Sequence, residues 1–167
     1  MRGIAPVVAA ALAVAGLWAV GVVNPPATPV MQGDELGARQ GESQQQYAQR
    51  AAATLDHEEA SFALVTFSRP VSAETAVEAL AAAPRVSALV VPGQAPVVVP
   101  EASTGKTRLD VLRSATDSPL SAAVVFATHG QLEQISADNA VLAVEMLPAD
   151  AVWGAFALTP STTGGRV

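Results

Sequence analysis

The chain has 167 residues, half of them hydrophobic, with fifteen acidic and nine basic side chains and no cysteine. The missing cysteine excludes disulfides, thiolate metal sites and a lipoprotein anchor. A formal charge of −6 with no basic cluster argues against binding nucleic acid or anionic lipid heads.

Arg2 carries the first charged side chain. Ile4 to Val23 then forms a run of twenty residues with no charged or strongly polar side chain. A helix of that length spans roughly 30 Å, the hydrocarbon thickness of a bilayer. The run is longer than a usual secretory h-region. It ends through Val22 and Val23 into Asn24-Pro25-Pro26 without a good small-x-small cleavage site. Residues 1–23 are therefore read as an uncleaved transmembrane signal-anchor, with a cleaved signal as the rival reading. Arg2 precedes the run and acidic Asp34 and Glu35 follow it, so the N-terminus is expected in the cytoplasm and the rest of the chain outside. Trp18 suits the outer interface. The Ala/Val/Arg-rich, Lys-poor usage fits a high-GC bacterial coding bias.

Residues 24–42 read as a linker, stiffened by Pro25, Pro26 and Pro29 and loosened by Gly33, Gly37 and Gly41. Residues 43–60 read as an amphipathic helix capped by Ser43 and running over Gln44–Glu58. Tyr47, Ala51 and Leu55 form a narrow apolar stripe, as expected of a stalk or of a helix on the domain edge.

Residues 61–147 read as the extracytoplasmic domain. Phe62–Phe67, Val86–Val91, Ser121–Ala127 and Val141–Leu147 are continuous apolar, β-rich runs and predict buried strands. Ser72 caps a helix after the first run. Thr107–Asp110 and Thr128–Gln131 are capping-box patterns that open two short helices. The order β-α-β, a short helical insertion, then β-α-β is that of a ferredoxin-like βαββαβ sandwich in the α+β class. A small doubly wound α/β domain is the alternative. In the sandwich, right-handed crossovers put the two main helices on one sheet face. The other face needs a cover, and the candidates are the helix near Gln44, the insertion helix, the C-terminal tail or a partner.

Chemistry-bearing patterns are few. Ser103-Thr-Gly-Lys-Thr107 resembles the end of a phosphate-binding loop, but Pro100 stands where that loop requires glycine, so no nucleotide is expected. Asp56-His57-Glu58-Glu59 lacks the i, i+4 spacing that would aim ligands at one metal ion. His129 is an isolated potential base at a helix start. No Gly-x-Ser-x-Gly elbow or dinucleotide fingerprint is present. Glu145 is a single acid in an apolar strand, which period-two logic could aim at the open sheet face or at solvent. The chain is accordingly read as non-catalytic, with no cofactor, catalytic residue or metal site.

Residues 148–167 read as an apolar and then flexible tail. Val152, Trp153, Phe156 and Leu158 either cover the chain's own sheet or meet a partner, and they are the partner-binding candidates. The functional expectation is a single-pass membrane protein, held in the bilayer by residues 4–23. Its outer domain would bind another membrane or envelope protein, as an accessory or assembly subunit of an envelope complex. The alternative is a tethered or secreted inhibitor or sensor domain, similar in topology to propeptide-type protease inhibitors that lay one sheet face on the enzyme.

Overall fold

The computed structural model describes residues 33–159. The apolar run Ile4–Val23 and the expected anchor lie outside the described residues. Among the described residues, no helix is long and apolar enough to cross a membrane. In chain order the elements are β1 (Glu35–Leu36), α1 (Gln44–Ala52), β2 (Ser61–Val71), α2 (Ala73–Ala79), β3 (Arg85–Val90), β4 (Val97–Val98), α3 (Arg108–Ala115), β5 (Leu120–Ala127), α4 (His129–Ser136), β6 (Val141–Met146) and β7 (Ala157–Leu158). The architecture is mixed α+β, with one five-stranded antiparallel sheet, four helices and a small parallel pair.

The helices begin where side chains satisfy the first free amide groups. The Ser43 N–H donates to Gln46 Oε1 at 2.9 Å and the Gln46 N–H donates to Ser43 Oγ at 3.2 Å, a reciprocal box that starts α1. The Thr107 N–H donates to Asp110 Oδ2 at 2.8 Å and the Asp110 N–H returns to Thr107 Oγ1 at 3.2 Å. Aspartate thus replaces glutamate in the box that opens α3. The Thr75 N–H reaches Ser72 Oγ at the start of α2, and the Thr128 N–H donates to Gln131 Oε1 at the start of α4.

The sheet order is β4-β3-β5-β2-β6, and every neighbouring pair is antiparallel. This pairing excludes the doubly wound alternative, which needs a parallel sheet. The neighbouring inner strands β5 and β2 are hydrophobic on both faces. One face, carrying Ala63, Val65, Phe67, Ala123, Val125, Val144 and Met146, packs under α2, α3 and α4. Strand β2 runs beyond the expected Phe67, through Ser68-Arg69-Pro70 to Val71. A register shift between Thr66 and Val71 lets the proline sit there without a ladder bond.

Three expectations are corrected. The insertion helix α3 does not cover the second face; it joins the helical layer through Val111 and Leu112. Its Arg108 donates to Leu80 O at 3.0 Å and Ala83 O at 2.8 Å, bracing the turn that follows α2. Helix α1 stops at Ala52 rather than Glu58. The Thr54 hydroxyl donates back to Ala51 O at 2.7 Å and accepts the Met146 N–H at 2.7 Å, so the chain turns there along the edge of β6. Leu55 consequently packs with the helical layer, while Tyr47 and Ala51 lie on the opposite sheet face.

The third correction concerns residues 33–37, expected to be loose linker. They form a strap in which β1 pairs with β7, with the Ala157 N–H bonded to Asp34 O at 2.9 Å and the Thr159 N–H to Leu36 O at 2.8 Å. Leu36 is 1% exposed and packs in the second apolar cluster with Leu64, Ala122, Val124 and Leu147. Leu36→Ala should therefore cost about 2–5 kcal/mol of unfolding free energy, as for a buried core leucine. Chemical denaturation of the variant checks this, and an unchanged midpoint would mean the strap is not part of the core.

Candidate functional site

The second sheet face is where the tail, the strap and α1 meet, and it gathers most of the residues that sequence reasoning marked. Its centre is Glu145 on β6. Within that strand, Val144 and Met146 face the helical layer, so the period of two turns Glu145 to the other side. There it is 3% exposed. A carboxylate so buried requires charge and hydrogen-bond partners. Arg50 Nη1 from α1 donates to Glu145 Oε1, and the Gly37 N–H donates to Oε2 at 2.7 Å.

Arg50 is held on its other edges as well. Its Nε donates to Glu42 Oε1 at 2.9 Å, and its Nη2 donates to Glu42 Oε2 at 3.1 Å and to Gly37 O at 2.8 Å. The guanidinium also lies 5.3 Å from the Tyr47 ring centre, within cation–π range. One cation thus joins α1, the strap and the sheet. Gly37 gives both its backbone groups to this network. Its φ of +117° is one that a side chain resists, and a Cβ there would lie 2.9 Å from Thr159 O.

The electrostatics follow from these contacts. The hydrogen bonds from Arg50 and from the Arg39 backbone hold Glu42 down to about 2, from an ordinary value of 4.5. The hydrogen bond to Glu42, followed by Glu145, raises Arg50 further above its already high value. Burial pushes the Tyr47 phenol up. Its hydroxyl lies 3.0 Å from Thr66 Oγ1 on β2, which ties α1 to the centre of the sheet. Neither Arg50 nor Tyr47 was singled out as a site residue from sequence. A lone acid inside an apolar strand was the available signal, since it calls for a buried cation, but nothing local identifies which arginine answers it.

The tail residues divide into two pairs. Phe156 and Leu158 are half-buried and pack with the second apolar cluster, Phe156 lying 5.6 Å from the Phe62 ring. They cover their own sheet. Val152 and Trp153 sit on the preceding turn, 66% and 40% exposed. Trp153 contacts Phe62 at 5.4 Å and Phe156 at 5.7 Å between ring centres, and Phe62 in turn contacts Phe126 at 5.0 Å. The turn is thus braced from beneath by an aromatic cluster, with one side of Trp153 and most of Val152 left to solvent.

The remaining marked residues are dispersed. His57 Nε2 lies 3.0 Å from Leu147 O and its Nδ1 lies 3.6 Å from Glu59, at the β6 edge. His129 Nε2 lies 3.2 Å from Glu133 Oε1 within α4. Ser103–Lys106 forms a turn ahead of α3, with the Lys106 N–H bonded to Ser103 O at 2.9 Å. Among the described residues, no three His, Asp or Glu side chains converge in a way that could hold a metal ion. The sequence matches no protein-family model, and neither a curated protein nor a solved structure matches it.

Two measurements test the network. Arg50→Met leaves Glu145 buried without its cation and should destabilise the domain by about 3–5 kcal/mol, whereas Arg50→Met with Glu145→Met should lose less than the sum of the single changes. Equal, additive losses in urea melts would show that the two charges do not act as a pair. The pH dependence has a definite sign. Glu42 titrates lower when folded than its ordinary 4.5, so the unfolded chain binds more protons between that value and about 2. Its contribution is present above about pH 4.5 and is lost on acidification toward pH 2. Glu42→Gln should lower stability at neutral pH, and the difference from the parent chain should shrink below about pH 4.5 and vanish as the pH falls through about 2, read by thermal melts across that range.

Proposed function

We propose that this chain is a single-pass membrane protein with a cytoplasmic N-terminus, whose outer domain is a non-catalytic protein-binding module serving as an accessory or assembly subunit of an envelope complex. The observation that carries the reading is the uninterrupted apolar run from Ile4 to Val23, long enough to span a bilayer. The strap adds support. The chain that follows the run enters the domain as β1, and Leu36 and Gly37 are wired into the core and the Arg50 network. A tether built into the core in this way suits a domain that is held at one place.

In this proposal the domain is a ferredoxin-like βαββαβ sandwich. Its two halves are β2-α2-β3 and β5-α4-β6, with β4 and α3 inserted between them. The order β3-β5-β2-β6 and the shared face of α2 and α4 support the assignment. The rival reading, an inhibitor that lays an open sheet face on a protease, is less well supported, because α1, β1 and β7 occupy the face opposite the helices.

Affinity isolation of the tagged full-length protein from its native membranes in mild detergent tests the proposal. The expected outcome is an intact chain, with residues 1–23 still attached by mass spectrometry, in a stoichiometric membrane complex. A cleaved and solitary protein would discard both the anchor and the subunit role.

A further inference from the structure

We propose that the Val152–Trp153 turn is a second, peripheral contact with the zwitterionic surface of the bilayer; this rests on the membrane-anchored reading. Three observations converge on it. The turn holds two of the three large apolar side chains that are exposed among the described residues, the other being Val98 on the edge strand β4. It is also rigid. Gly154 takes a φ of +84°, the Ala155 N–H closes on Val152 O at 3.0 Å, and the Trp153 ring rests on Phe62 and Phe156. The exposed part of Trp153 is therefore presented with little further loss of side-chain freedom.

The third observation is where the chain leaves the domain. Gly33 lies directly against the turn, since a Cβ at that position would collide with the Ala155 carbonyl. Nine residues, 24–32, separate Gly33 from the end of the apolar run. Even fully extended they reach only about 30 Å. The turn beside Gly33 is thus kept within a short tether's length of the lipid surface. One tryptophan and one valine are too little to recruit a free protein to a membrane. On a short tether the same contact becomes intramolecular, at an effective concentration on the order of millimolar.

The chemistry of the turn selects the kind of surface. Tryptophan favours the headgroup level, where the ring is buried and its N–H stays hydrated. Asp34, Glu35 and Asp150 are exposed around the turn, and no basic side chain lies between Gly33 and Ala38 or between Pro148 and Thr159. Such a surface suits phosphatidylcholine-like or phosphatidylethanolamine-like headgroups and is repelled by anionic ones.

The chain contains two tryptophans, Trp18 and Trp153, so Trp18→Phe leaves Trp153 as the sole reporter. The experiment reconstitutes this full-length variant in phosphatidylcholine liposomes, with and without bromine on the upper acyl chain, and reads flotation and Trp153 emission. The expected result is flotation with Trp153 emission quenched by about half in brominated lipid, as for an interfacial indole. Val152→Asp should remove most of that quenching, while Val98→Asp, at an equally exposed valine on β4, should leave it unchanged. Protein that floats with Trp153 unquenched would overturn the proposal while keeping the anchor, and would leave the turn to a protein partner. Equal loss in the two aspartate variants would also overturn it. Protein that does not float would remove the anchored reading, and this inference with it.

Discussion

A carboxylate buried in the second face of the sheet governs how that face is closed. Glu145 could not remain there without compensation, because desolvating an unpaired carboxylate costs several kcal/mol. The compensation comes from two separate pieces of chain, Arg50 on α1 and the Gly37 amide on the strap. Both pieces must be seated for the charge to be satisfied. The ion pair therefore sets the position of α1 and β1 together, and β7 follows because it pairs with β1. Apolar contact alone is non-directional and would accept many placements of a short helix and a two-residue strand. A charge-assisted network accepts far fewer.

The two faces of the sheet are closed by different means. On one, α2, α3 and α4 lay apolar stripes on the sheet, and small side chains such as Ala63, Ala76, Ala79 and Ala123 permit close approach. On the other, only α1 is helical, and the rest is strap and tail packed around Leu64, Val124, Leu36 and the aromatic cluster of Phe62 and Phe156. Few large side chains are available to this chain, and four of its aromatics, Phe62, Phe126, Trp153 and Phe156, are gathered at one end of that face. The same cluster supports the exposed turn.

This arrangement bears on how an anchored domain would work. If the apolar run holds the chain in a bilayer, nine residues of sequence separate it from Gly33 at the start of the strap. The strap is one of the covers of the core. Position and stability are then linked, because disturbing Gly33–Gly37 also disturbs Leu36, the Arg50 network and the pairing with β7. The division of the tail has the same logic. Phe156 and Leu158 are drawn inward because the sheet face beneath them is apolar. Val152 and Trp153 lie on the turn that leads into β7 and stay outward.

Much of the local structure was legible in the sequence. The four long strands, the caps Ser43, Ser72, Thr107 and Thr128, and the element order all follow from hydrophobic period and from side chains that satisfy helix ends, which are interactions within a few residues. Those signals offered the helix near Gln44, the insertion helix, the tail or a partner as the cover of the second face and did not choose among them. The strap looked like linker because Gly33, Gly37 and Gly41 are also what a flexible segment contains, and a two-residue strand has no period to detect. Arg50 looked like one more solvated charge on a polar helix, and Glu145 like an outward-facing acid. Their pairing joins residues 95 positions apart, and Gly37 reaches Glu145 across 108. Local pattern determined which segments are strands and helices. Only the tertiary structure decided which of them close the core, because a buried charge and an apolar sheet face select their partners by proximity in space.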